Sequence, residues 1–223
     1  VIAVGENLSD ARQNLKLAKR FSLLRPAAGL YPKTVDLYEA EQMISFIRAH
    51  HRHLVAIGEV GLDYWIVKDA HQREIQREIF CRFIDLSLEL DLPLNVHSRS
   101  AGRHAVALLL ERGARRVQLH AFDGKAATAQ PAAEAGFLFS IPPSILRSRQ
   151  KQKLVKQLPV SSLLVETDSP VLGPSAHLRN EPASALISLK AISEIKGLRR
   201  SATAQEVFQN TLGLFGEIGT SSH

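Results

Sequence analysis

The sequence predicts an α/β fold, built as a parallel (β/α) barrel that lacks one unit. Three observations carry this expectation. Short apolar runs alternate regularly with longer amphipathic stretches along the whole chain, the mark of successive βαβ units. Seven such runs occur, and strands joined through helices lie parallel in one sheet. No glycine-rich G-x-G-x-x-G or P-loop segment follows any run, which argues against the nucleotide-binding doubly wound sheet, the other arrangement of alternating strands and helices.

The elements follow in order. Residues 1–4, Val1-Ile2-Ala3-Val4, read as a buried strand; a chain beginning inside a strand and without an initiator methionine is expected to be N-terminally incomplete. A helix over 9–21 opens on Ser9-Asp10, residues suited to capping. A strand over 25–30 leads to a helix over 36–49, with Asp36 at its start and Leu37, Met43, Ile44 and Ile47 at helical intervals. After a strand over 54–58, Ile75, Ile79, Phe83 and Leu86 mark one face of a long helix over 72–90. Strands over 93–96, 116–120, 137–140 and 163–166 complete the seven, with helices over 101–112, 151–158, 181–196 and 203–215. No linker or low-complexity segment divides the chain, so one domain spans residues 1–223.

Composition narrows the function classes. Of 223 residues, 45% are hydrophobic and 22% charged, which excludes a disordered chain. No run approaches the roughly 20 apolar residues that span a bilayer, so no membrane embedding is expected, nor is there a signal-peptide pattern. The single cysteine, Cys81, cannot form an internal disulfide or a four-cysteine zinc site, and points to a reducing, cytoplasmic setting. Cys81 itself reads as an ordinary small residue of the long helix. The net charge of +6 permits a polyanionic partner such as nucleic acid.

The chemistry sits at the strand ends. Glu59 follows Val55-Ala56-Ile57-Gly58, His97 follows Leu94-Asn95-Val96, His120 follows Val117-Gln118-Leu119, and Asp168 follows Leu164-Val165-Glu166-Thr167. In a barrel these four carboxyl ends converge on one mouth. Carboxylates with imidazoles suit zinc, manganese or a similar divalent ion. Each residue alone has a plainer explanation: a histidine at a strand end is an ordinary hydrogen-bonding group, Glu59 caps a loop with Asp63, and Asp168 forms a turn with Ser169-Pro170. It is the coincidence of all four that points to a metal centre. His50, His51 and His53 fit a helix C-terminus, where imidazolium suits the dipole. His71 and His104 lack a strand-end context, His177 lies in a loop at the expected mouth, and His223 is terminal.

These segments carry a family resemblance. Gly58-Glu59-Val60-Gly61-Leu62-Asp63 resembles the G-E-x-G-L-D signature of the TatD-type metal-dependent deoxyribonucleases, of the amidohydrolase-like superfamily. Val96-His97-Ser98-Arg99 is similar to their V-H-x-R segment and His120-Ala121-Phe122 to their H-x-F. Glu166-Thr167-Asp168-Ser169-Pro170 matches E-T-D-x-P, and Arg179-Asn180-Glu181-Pro182 matches R-N-E-P. The five motifs stand in order, and the resemblance runs from Val1 to about Phe215.

The resemblance implies a TIM-type (β/α)8 barrel lacking its first βα unit in this chain, with two divalent ions, zinc, manganese or magnesium, at its mouth. Glu59 would bridge the ions, His97 and His120 would complete the second site, and Asp168 would ligate the first and orient or deprotonate the attacking water. Glu59 and Asp168 are thus the implied catalytic residues. Arg99, Arg179 and Tyr64 are the implied substrate-binding residues; Arg147 is a further candidate for phosphate, although a solvated arginine is its simpler reading. Arg179 and Glu181 have an alternative role, fixing the loop of Asp168. The implied activity is 3'-5' exonuclease-like hydrolysis of single-stranded DNA. Tyr31, Tyr64 and Trp65 are the aromatic candidates for the mouth, with core packing an equal explanation for Trp65.

Two departures from the family pattern carry expectations of their own. Its first strand ends in D-x-H-x-H, which this chain lacks, leaving Glu59 and Asp168 alone at the first site; one bound ion and an impaired enzyme are then expected. Tyr31-Pro32 stands where the family has histidine before proline, and a neutral phenol donates a hydrogen bond but ligates these metals poorly. Two other classes of function stay open on these residues. One is a metal-dependent amidohydrolase or esterase, because a metal hydroxide attacks carbonyl and phosphoryl centres alike. The other is an inactive fragment that keeps the barrel as a binding scaffold.

Overall fold

Seven parallel strands pair in strict sequence order in the computed structural model, which describes residues 1–216. They are β1 (Ile2–Ala3), β2 (Arg25–Ala28), β3 (Ala56–Gly61), β4 (Leu94–His97), β5 (Val117–Leu119), β6 (Leu138–Ile141) and β7 (Leu163–Val165). Sequential neighbours all along the sheet are the order of a barrel wall; a doubly wound sheet reverses direction from its first strand. β1 and β7 are the two ends of this sheet. His223 lies outside the described residues.

The helices are α1 (Leu8–Arg20), α2 (Leu37–His50), α3 (Ala70–Leu90), α4 (Gly102–Glu111), α5 (Ala126–Glu134), α6 (Arg149–Gln157), α7 (Ala185–Lys196) and α8 (Arg200–Phe215). Their starts follow capping chemistry. The Asp36 carboxylate accepts from the Tyr38 and Glu39 amides, and Asp69 accepts from Gln72; each such cap stabilises a helix by about 1 kcal/mol. α1 is capped by Asn7 and not by Ser9-Asp10: Asn7 accepts from the Asp10 amide and donates to its carboxylate at 2.7 Å. α7 begins at Ala185, later than 181, because residues 182–184 make a 3-10 turn opened by Pro182.

α5 is a helix that periodicity did not reveal. Its sequence, AATAQPAAE, has little amphipathic contrast and contains Pro131; Ala129 and Ala132 are its only buried positions. His50 and His51 bond backbone carbonyls of Phe46 and Arg48 at the end of α2, both at 2.8 Å, as expected of a helix terminus.

The core lies between the sheet and the helical layer. Ile79, Phe80, Phe83, Ile84 and Leu86 of α3 pack with Ile57, Leu94, Val96 and Phe139 of the strands. Backbones approach closely where β3 meets β4. Gly61 adopts a φ of 136°, and a Cβ there would stand 2.1 Å from the His97 carbonyl oxygen. A Cβ on Gly58 would stand 2.6 Å from Asn95 Cβ. The two glycines of the G-E-x-G segment therefore let β3 press against β4, which sets Glu59 beside His97.

Gly61→Ala should lower stability to urea by about 3 kcal/mol, since it combines backbone strain with a main-chain clash. Gly113 also has a positive φ, of 66°, but open space around it, and Gly113→Ala should cost only about 1 kcal/mol. Equal losses for the two would mean that close approach is not what requires glycine at 61.

Candidate metal centre

Strand register delivers the site residues to one rim. Gly61 pairs with His97, and the His120 amide donates to Val96 O at 3.0 Å. Ile141 pairs with Val165, and the Glu166 amide donates to Ile141 O. His97 thus ends β4, while His120 and Glu166 directly follow β5 and β7. β3 runs on to Gly61, so Glu59 lies inside its strand and not after it, as sequence alone suggested.

Glu59 is the shared group. Its Oε1 lies 2.7 Å from His97 Nδ1 and 3.9 Å from His120 Nε2. His120 Nε2 is in turn 3.6 Å from Asp168 Oδ1. Glu59, His97 and His120 present ligand atoms all within 4.8 Å of one another, a set that could hold a metal ion. The donor chemistry fits a divalent cation: oxygen and imidazole nitrogen converge, with Asp168 beside them.

Each imidazole is held from behind by a further carboxylate. Glu166 Oε2 lies 2.6 Å from His120 Nδ1, and Asp63 Oδ2 lies 3.0 Å from His97 Nε2. These pairings fix both rings and leave Nε2 of His120 and Nδ1 of His97 facing Glu59. Carboxylate–histidine pairs of this kind orient metal-ligating rings and raise their basicity. Sequence reading passed over Glu166 as a site residue and gave Asp63 only a loop role. The available signal for Glu166 was its place directly after β7, two residues before Asp168.

A second tier of contacts secures these carboxylates. Glu166 accepts from the Ala121 amide at 2.9 Å and from Ser140 Oγ at 2.8 Å. Ser140 accepts from Gln118, whose own oxygen faces Asn95. Asp63 accepts from the Trp65 and Ile66 amides, both at 2.9 Å, and its amide donates to buried Gln76. Tyr31 donates to Asp63 Oδ2 at 3.4 Å with its ring edge-on to His97. Burial, with the Asp63 and Glu59 carboxylates, pushes the Tyr31 phenol well above its ordinary value, so it stays a neutral donor.

Charge is strongly coupled here. Burial opposes a positive charge on His120, yet Glu166, Glu59 and Asp168 outweigh it and raise its pKa to about 10. His97 is also raised: its bonds to Asp63 and Glu59 overcome the cost of burial. Burial, reinforced by Glu166 and Glu59 and opposed by His120, lifts Asp168 to about 6. Four carboxylates against two imidazoles leave an excess of negative charge that a divalent cation would neutralise.

The other expected site residues lie around this centre. Arg99 is exposed on the loop after β4, with its carbonyl accepting from the Tyr64 amide. Tyr64 is only 9% exposed and packs on His104 and the Arg73 guanidinium, so it is not gathered into the cluster. Trp65 is exposed, which decides against core packing. Arg179 and His177 are exposed in the loop before α7, and Arg147 donates to Gly173 O at 3.4 Å. The loop of Asp168 is fixed by Asn180, where Arg179 and Glu181 were the candidates. Buried Asn180 donates to the carbonyls of Thr167 and Val171, and its amide donates to Pro170 O.

In chelator-treated protein, the His120 ring should remain protonated through pH 8 when followed by NMR. Glu166→Gln should bring its titration down from near 10 toward the ordinary value of roughly 6.5. An unchanged titration in that variant would show that Glu166 does not govern the ring.

The sequence model of the family described as TatD related DNase matches residues 1–216. The chain is 42% identical to the Homo sapiens protein named deoxyribonuclease TATDN3, over 98% of this chain and 84% of that one. It is 31% identical to a Bacillus subtilis protein named uncharacterized metal-dependent hydrolase YabD, over 96% of this chain and 86% of that one. The crystal structure of YJJV, a TatD homologue from Escherichia coli, is similar with a TM-score of 0.87 at 24% identity, covering 97% of this chain and 86% of its own; that likeness shows the fold. With a family match along nearly its whole length, the chain belongs to the TatD-related DNase family.

Proposed function

We propose that this chain is a divalent-metal-dependent deoxyribonuclease that hydrolyses phosphodiester bonds of single-stranded DNA. The observation that carries the reading is the sharing of one carboxylate oxygen of Glu59 between two imidazoles, each braced by its own carboxylate. The family match and the name of the human relative support DNA as substrate. A net charge of +6 suits a polyanion. The chain is read as one domain. Its lone, free cysteine, half-buried in α3, supports a reducing, cytoplasmic setting; among the described residues no helix is long and apolar enough to cross a membrane.

In this reading Glu59, His97 and His120 would hold one ion, and Asp168 with Glu59 would contribute to any second one. When bound, such ions supply Lewis acidity toward a phosphoryl oxygen and acidify water. Asp63 and Glu166 hold the two rings with the correct nitrogen inward. Asp168 is the most exposed of the four carboxylates, at 26%, so it is the one that water and substrate reach from the mouth. It orients the attacking water and accepts its proton. Arg99 and Arg179, on flanking loops, steady the phosphate through charge-assisted hydrogen bonds.

Metal uptake requires neutral imidazole nitrogens, whereas His120 carries a proton at neutral pH in the metal-free cluster and His97 is raised in the same direction. Zinc binding should therefore release protons, read by calorimetry in buffers of different ionisation enthalpy, and should weaken as pH falls from 8 to 6. Glu166→Gln should reduce zinc affinity by about 10- to 100-fold. Binding without proton release would place the metal elsewhere.

Hydrolysis of 5'-labelled single-stranded DNA should require manganese, magnesium or zinc and stop with EDTA. Asp168→Asn should lower kcat by about a hundredfold or more. Cleavage indifferent to EDTA would overturn the metal mechanism. Metal-dependent turnover of carboxylic esters or amides, with DNA left intact, would overturn the substrate assignment.

A further inference from the structure

Trp65 is the only tryptophan of the chain, and the residue is 53% exposed. Tryptophan joins a large apolar face to a polar N–H and is enriched where such a face meets a partner. Its backbone is tied to the metal cluster by a single carboxylate. The Trp65 amide donates to Asp63 Oδ1 at 2.9 Å, while Asp63 Oδ2 lies 3.0 Å from His97 Nε2. The ring is therefore carried on the rim, one side chain away from a candidate ligand.

Two cations flank it. The Arg99 guanidinium carbon lies 3.7 Å from the ring centroid, a stacking distance, and Lys68 Nζ lies 5.8 Å away. Arg99 comes from the loop that follows His97, and Tyr64 N donates to Arg99 O at 3.0 Å, joining the two loops beside the ring. Arg99 covers part of the ring, yet the residue keeps 53% of its surface open. An aromatic surface with a guanidinium stacked on it and an ammonium nearby matches a nucleotide, whose base stacks on the open ring surface while its phosphate meets the cations. A base-free phosphate ester would use only the charges.

We propose that Trp65, with Arg99 and Lys68, forms a nucleobase-stacking subsite that grips the nucleotide beside the scissile phosphate. The subsite rests on the nuclease reading above and adds to it a preference for unstacked bases. A base within a duplex has both faces covered by its neighbours and cannot offer one to the ring. The selection of single strands then comes from Trp65 and not from the metal cluster. Because stacking holds substrate and transition state alike, its loss acts on KM and leaves kcat in place.

Emission of Trp65 reads the contact directly. Zinc-loaded protein is titrated with a short single-stranded phosphorothioate oligonucleotide, which resists cleavage, and with an abasic strand of the same length and backbone. The base-bearing strand should quench the emission and the abasic strand should not. On cleavable DNA, Trp65→Ala should raise KM about tenfold at unchanged kcat, and Trp65→Phe should recover most of the loss. Oligonucleotide that is bound and cut while the emission stays constant, or equal quenching by the abasic strand, would overturn the subsite but leave the nuclease standing. DNA neither bound nor cut would remove both.

Discussion

One carboxylate oxygen between two imidazoles is the contact on which the rest of this structure depends. Glu59 brings together the carboxyl ends of β3, β4 and β5, and it is buried. A buried ionised carboxylate is costly unless paired and hydrogen-bonded. Here burial pushes Glu59 up, yet His97 and His120 more than offset this and bring it below the ordinary value. Both rings are shifted toward the charged form against the cost of burial, His97 by Asp63 and Glu59, and His120 by Glu166, Glu59 and Asp168. The ionisation of each member therefore depends on its neighbours. A divalent cation held by Glu59, His97 and His120 would take the place of protons in the cluster, so the same residues would serve both the metal-free and the loaded protein.

This dependence explains why the barrel interior is polar beneath the mouth. Asn95, Gln118 and Ser140, on β4, β5 and β6, are all buried, and they pass hydrogen bonds across the strands to Glu166. Each donor is aimed at the next acceptor, and the chain ends on the carboxylate that fixes His120. Asn95 Oδ1 remains without a partner, consistent with a ladder built to serve its other end. Lys151 extends the support from α6: its ammonium donates to Ala121 O at 3.0 Å, next to His120. Burial pushes that lysine down while Glu166, Asp123 and Asp168 pull the other way.

Much of this was legible in the sequence, for identifiable reasons. Parallel strands and a barrel followed from the spacing of apolar runs, because burial on both faces leaves near-continuous hydrophobic stretches. Glu59, His97, His120 and Asp168 stood out because they interrupt or end such stretches. Glu166 did not, since a glutamate ending Leu163-Leu164-Val165 reads as the edge of a strand, and its role depends on a partner 46 residues earlier in the chain. Asn180 was hidden in the same way: its work is entirely with the backbone of residues 167–171, which no side-chain chemistry announces. α5 escaped because alanine packs without leaving a strong apolar stripe. Trp65 could be read as core or mouth until its exposure was known.

The electrostatic layout also orders events at the mouth. Four carboxylates at the centre repel a phosphodiester, whereas the flanking loops carry Arg99, Lys68 and Arg179, all exposed. A polyanion is thus attracted to the rim and turned away from the cluster until cations neutralise it. Asp168, lifted to about 6 by burial and by Glu166 and Glu59, is the member whose charge is least settled and the one closest to solvent. Tyr31 fits the same scheme: a neutral phenol donating to Asp63 steadies His97 without adding a positive charge that would compete with the metal. An imidazole in its place, among the same carboxylates, would be drawn toward the charged form. The tyrosine therefore keeps the bonding and leaves the negative charge of the centre for the cation.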